Sequence, residues 1–87
     1  MQTPKRIYVS GLGDFVDEQL LYEVFLPFGE ITDIQLPKDN GKLNKGYGFV
    51  VFEDEEDASQ AILNMNKAEL FGKTLTVSSS RNKENEI

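Results

Sequence analysis

Three aromatic residues and a lysine are spaced for contact with flat, charged ligands. In Lys45-Gly46-Tyr47-Gly48-Phe49-Val50-Val51-Phe52 the β-branched and aromatic residues favour a strand, and Gly46 and Gly48 oppose a stable helix. Side chains alternate faces along a strand, so Lys45, Tyr47, Phe49 and Val51 share one face and Gly48, Val50 and Phe52 the other. The second set suits a core. The first shows two rings with a cation at its end, a combination fitted to stack on nucleobases and to meet phosphate. A second stretch, Ile7-Tyr8-Val9-Ser10-Gly11-Leu12, places Tyr8 on the face opposite Ile7 and Val9.

These rings need a sheet to hold them flat, and the chain supplies one. Residues 6–10 read as a first strand, and Gly11-Leu12-Gly13-Asp14 as the turn after it. Asp17 is a good helix cap, and Glu18 in the first turn favours the helix dipole. Leu21, Val24, Phe25 and Phe28 follow at i, i+3, i+4 and i+7, one apolar stripe. Pro27 and Gly29 should stop this helix at about Phe28. Residues 30–37 form a second strand, with Ile34 and Leu36 inward, Ile31 packing at its start, and Asp33, Gln35 and Pro37 facing the other way. Pro37 lacks a donor and suits an edge strand. Asn40-Gly41 is a hairpin signal in a polar loop leading to the third strand, residues 45–53. Asp54 can cap a second helix whose stripe is Ala58, Ala61, Ile62 and Met65, ended by Asn64-Met65-Asn66. Leu70-Phe71-Gly72 reads as a connection anchored by apolar residues. Residues 73–78 form the last strand, with Leu75 and Val77 inward and Thr74, Thr76 and Ser78 outward.

The order is βαββαβ. Two amphipathic helices must cover one face of the sheet, which implies the α+β, ferredoxin-like sandwich: a four-stranded antiparallel sheet with both helices on one side. Tyr8, Tyr47 and Phe49 are then left on the uncovered side, where clustered exposed rings require an explanation.

Composition narrows the function. The chain has 87 residues, enough for one small domain at 6–78, with a loose arm at 1–5 and a tail or linker at 79–87. It contains no cysteine and no histidine, so it has no thiolate metal site and lacks the commonest general base. No metal or cofactor is expected. There is no apolar run of ~20 residues and no signal-peptide pattern, so no membrane partner is expected, and a monomer is the default state. The net charge is −6, from 15 acidic and 9 basic residues, which taken alone argues against a nucleic-acid binder. The distribution of charge argues the other way. Acids crowd the two helices at Asp17, Glu18, Glu23 and at Asp54, Glu55, Glu56, Asp57. Bases sit elsewhere, at Lys5, Arg6, Lys38, Lys42, Lys45, Lys73, Arg81 and Lys83, consistent with one mildly basic face and one acidic face.

Residues 45–52 match K/R-G-F/Y-G/A-F-V-x-F/Y at every specified position, and the chain resembles the RNA-recognition motif family. The first-strand stretch resembles that family's second signature, with Tyr8 at the aromatic position and one departure, Gly11 where the family usually has Asn. The resemblance implies strand order 4-1-3-2, with Tyr8 beside Tyr47 and Phe49. It implies that these rings stack bases or contact sugars of single-stranded RNA. Lys45 is the candidate for a phosphate or base edge, and Gln35, Thr76, Ser78 and Arg81 are candidates for hydrogen bonds to bases. Residues 27–37, 64–66 and 69–72 further resemble the subgroup in which this domain precedes a nuclear, spliceosome-associated cyclophilin-type isomerase. That subgroup implies a nuclear location, a role in mRNA processing or splicing, A/U-containing RNA, and a protein partner such as a chromatin-reader PHD finger or a spliceosomal component. A competing reading is therefore a protein-interaction module using the sheet or the acidic helical face. Catalysis by this chain is not expected: the fold is shared with small acylphosphatases, but residues 11–14 lack the arginine their phosphate loop requires.

Overall fold

The computed structural model describes residues 5–41 and 43–80. Residues 1–4, Lys42 and residues 81–87 of the expected tail, Arg81 among them, lie outside the described residues.

The elements run β1 (Arg6–Ser10), α1 (Glu18–Phe25), a 3-10 turn (Leu26–Phe28), β2 (Ile31–Gln35), β3 (Tyr47–Phe52), α2 (Glu55–Met65), β4 (Glu69–Leu70), β5 (Lys73–Thr74) and β6 (Thr76–Ser80). The four long strands form one antiparallel sheet in the order β2-β3-β1-β6, which is the order the resemblance implied. The two signature strands are thus central neighbours, with Tyr8 opposite Phe49 and Ser10 opposite Tyr47.

The core lies between the sheet and the helices. Ile7 and Val9 of β1, Val50 and Phe52 of β3, and Leu75 and Val77 near the last strand meet Leu21 and Phe25 of α1 and Ala58 and Ala61 of α2. Each large side chain buried in this way contributes about 1.5–3 kcal/mol. Small residues set the layer spacing. A Cβ at Gly48 would lie 3.0 Å from both the Gln35 carbonyl oxygen and Leu36 Cδ1, so its absence lets α1 and the end of β2 close on the sheet.

Local chemistry explains most boundaries. The Leu20 amide donates to Asp17 Oδ1 at 2.9 Å, so α1 starts where the cap residue places it. The α-helix ends at Phe25, three residues early, because Pro27 cannot continue the ladder and the chain tightens into a 3-10 turn through Phe28. Asp54 has extended backbone before α2 but makes no side-chain cap bond. In β2, alternation breaks between Ile31 and Asp33, where a bulge shifts the register against β3. That extra residue is why Ile31 and Ile34 both turn inward although they differ in parity.

The C-terminal part of the fold departs from the expectation of one last strand over residues 73–78. Lys73–Thr74 pairs instead with Glu69–Leu70 in a two-stranded hairpin, and the sheet strand is Thr76–Ser80. Phe71 and Gly72 form the hairpin turn, at φ 52° and 84°. Phe71 is therefore no apolar anchor: it stands out at the turn, 64 % exposed, with its ring edge-on to exposed Phe15 at 5.2 Å.

The departure at Gly11 also has a physical reason. Gly11 has φ +84°, and a Cβ there would collide with the Thr74 carbonyl oxygen, part of the backbone leading into β6. Gly11→Ala should cost about 2–4 kcal/mol, from left-handed backbone strain and overpacking together. Urea denaturation of the variant measures this, and an unchanged midpoint would contradict the close approach.

Candidate nucleic-acid interface

The register of the sheet lines up the outward side chains in rows. Gln35 is opposite Phe49, Phe49 opposite Tyr8, and Tyr8 opposite Ser78, giving one row across all four strands. With strands ~4.8 Å apart, that row spans about 14 Å. The next row holds Tyr47, Ser10 and Thr76. The row on the other side holds Asp33, Val51, Arg6 and Ser80. Gln35, Thr76 and Ser78 are exposed, so each can offer hydrogen bonds beside a ring. Lys45 is exposed just before β3, beyond the Tyr47 end of the rows. Arg81 lies outside the described residues.

The rings support one another. Tyr8 lies 5.9 Å from Tyr47 and 5.5 Å from Phe49 between centroids, and Tyr47 meets Phe49 edge-on at 6.0 Å. All three are half-buried. Pairs of this kind gain about 0.5–1.5 kcal/mol beyond area burial, which fixes the rings before any ligand arrives.

One residue's place on this face is not legible in the sequence. Arg6, there only a basic residue entering the first strand, places its guanidinium over Phe49, 4.0 Å from the ring centroid. Its Nη2 donates to Gln35 Oε1 at 3.1 Å, and Gln35 Nε2 donates to Asp33 Oδ2 at 3.1 Å. Phe49 is thus covered on one face by a cation held in a polar chain. Strand parity from Tyr8 puts Arg6 on this face, but only the register against β3 puts it over Phe49. Lys38 shows the opposite outcome. Sequence groups it with the basic face, yet its ammonium bonds both carboxylate oxygens of Glu18 at 2.9 Å, tying the β2–β3 loop to α1. The hydrogen bond from Lys38 holds the Glu18 carboxyl below the ordinary carboxylate range.

A buried side chain positions the third strand. Asn44 Nδ2 donates to the carbonyls of Gly13 at 2.7 Å and Val16 at 3.0 Å, and Asn44 Oδ1 accepts from the Gly46 amide at 2.6 Å. The Gly46 carbonyl in turn accepts from the Leu12 amide at 3.1 Å. The β1–α1 loop and the entry to β3 are locked together one residue before Tyr47.

A four-stranded sheet backed by two helices, with rings and polar groups in rows on its open face, is the ferredoxin-like sandwich in a ligand-presenting form. Residues 7–76 match the model of the RNA recognition motif, and the chain belongs to that family. It is 44% identical over 85 residues to splicing factor 3B subunit 4 of Homo sapiens, covering 93% of this chain and 20% of that protein. The chain thus spans about a fifth of the length of this relative. Among solved structures, the Rna15 RRM superposes with a TM-score of 0.90 at 21% identity, covering 95% of this chain and 97% of that one. A Sex-lethal protein/RNA complex superposes at 0.85 with 29% identity, covering 91% of this chain and 48% of that one. These likenesses establish the family without separating out the isomerase-linked subgroup within it.

Proposed function

We propose that this domain binds short single-stranded RNA on its open sheet face. The row Gln35–Phe49–Tyr8–Ser78 carries the proposal, because it sets rings in the centre and hydrogen-bonding groups at both ends of one base-wide track. Tyr8 and Tyr47 stack first. Phe49 stacks once Arg6 has moved off its face, and Arg6 and Lys45 then meet phosphates. Gln35, Thr76 and Ser78 read base edges, and Arg81, outside the described residues, is a further candidate for hydrogen bonds to bases. Paired bases cannot present their faces, so single strands are preferred, and A- or U-containing sequences are the first to test. The likeness to a splicing factor and to a protein solved with RNA supports a role in nuclear mRNA processing.

Each stack is worth about 1–3 kcal/mol, so two or three alone support only weak binding, and together with the phosphate contacts the expected affinity is micromolar. Neutralising two or three phosphates gives a salt slope of about −1.5 to −2. The test is an NMR titration of the labelled domain with short A-rich and U-rich RNAs at several salt concentrations. Shifts are expected on β1, β3 and β6. No shifts at millimolar RNA would overturn the proposal.

A further inference from the structure

Gln35 is held at both ends of its amide. Arg6 Nη2 donates to its Oε1 at 3.1 Å, and its Nε2 donates to Asp33 Oδ2 at 3.1 Å. A surface glutamine ordinarily turns its amide to suit whatever it meets. Here it cannot, because a guanidinium only donates and an ionised carboxylate only accepts, so Oε1 faces Arg6 and Nε2 faces Asp33. Reversing the amide would set two donors together at one end and two acceptors together at the other. Gln35 and Asp33 are both exposed, and Gln35 is opposite Phe49 in register. The two bonds leave the amide one acceptor position on Oε1 and one N–H on Nε2.

We propose that this fixed polarity makes the position beside Phe49 select uracil against cytosine. The inference rests on the sheet-face reading of RNA binding and adds which base is accepted at one point on that face. A base stacked at Phe49 turns an edge toward Gln35. That edge must set an N–H on Oε1 and, next to it, an acceptor on Nε2. Uracil does so with N3–H and O4, and the group that comes next, toward Asp33, is the apolar C5–H. Cytosine does so only with its N4 amino group and N3, and the group that comes next is its O2 carbonyl. That carbonyl and the Asp33 carboxylate are both acceptors with no proton between them, so cytosine is repelled. The two pyrimidines offer nearly the same stacking area, so the discrimination lies in the edge. Asp33 alone keeps the amide in this sense when Arg6 leaves Phe49, so the preference does not depend on where Arg6 goes.

The experiment measures the fluorescence anisotropy of labelled hexauridylate and hexacytidylate, which place the same base at Gln35 in every register. Hexauridylate is expected to bind about 5-fold or more tighter, the discrimination of one well-formed bidentate pair. Asp33→Asn releases the amide, because asparagine can donate as well as accept, and Gln35→Ala removes it. In each variant the ratio of the two affinities should fall toward one while both RNAs still bind. The charge lost in Asp33→Asn strengthens both RNAs together and so does not move the ratio. Both residues are exposed on an edge strand, and thermal melts confirm that the variants are folded. Equal affinities for the parent domain, or a preference that survives either variant, overturn this inference and leave sheet-face binding in place. Binding of neither RNA overturns the sheet-face reading, and this inference with it.

Discussion

Asn44→Ala should destabilise the domain by about 3–5 kcal/mol, a large share of the roughly 5–15 kcal/mol available to a domain. Three hydrogen bonds end on this one side chain, which is 5 % exposed. Their removal takes the side-chain partner from the Val16 carbonyl and the Gly46 amide, each costing about 1–3 kcal/mol; the Gly13 carbonyl keeps the Val16 amide at 3.1 Å, and water entering the vacated space recovers part of the loss. Asn44→Asp should not rescue, because a carboxylate accepts from Gly46 but cannot donate to the Gly13 and Val16 carbonyls. Urea denaturation gives the stability, and amide exchange locates the loss, with Leu12 and Gly46 expected to lose protection first. A change below about 1 kcal/mol would show that solvent replaces all three bonds and that the loop is not held by this residue.

Asn44 also marks where the sequence stops being informative. In the chain it is one polar residue in a polar loop, and nothing in its neighbours distinguishes it from Asn40, which is exposed at the turn. Burial of an amide against two carbonyls about thirty residues upstream is a tertiary fact without local signal. The strands and helices are legible because their apolar periodicities are strong and agree with the caps and glycines around them. Hydrophobicity turns Ile31 and Ile34 inward but does not show the bulge that makes both possible. The hairpin at Phe71-Gly72 is hidden because a non-glycine residue at positive φ does not read as a turn. The rings are legible through strand parity and family resemblance together. What neither can supply is the pairing register, and the register is what sets Arg6 over Phe49 and, among the described residues, leaves Tyr8 without such a cover.

That difference yields the most discriminating result expected at the RNA site. Tyr8→Ala should weaken RNA binding by about 1–3 kcal/mol, or roughly 5- to 150-fold, as for other bases stacked on aromatic residues. Phe49→Ala should cost less. A base that stacks on Phe49 must first displace the guanidinium, and an exposed cation–π contact of about 0.5–1 kcal/mol offsets part of the stacking gain. Arg6→Ala should then produce two opposing changes: it uncovers the ring, which favours stacking, and it removes one phosphate contact, which opposes binding. The affinity at low salt should move little, while the salt slope should become shallower by about 0.7, the contribution of one phosphate on a single strand. The double variant Tyr8→Ala/Phe49→Ala should lose measurable binding. Fluorescence anisotropy with one RNA at four salt concentrations tests all of these together, with thermal melts to confirm that each variant is folded. If Phe49→Ala proves costlier than Tyr8→Ala and Arg6→Ala leaves the slope unchanged, Arg6 stays on its ring when RNA binds, and the base stacks on the guanidinium rather than on Phe49.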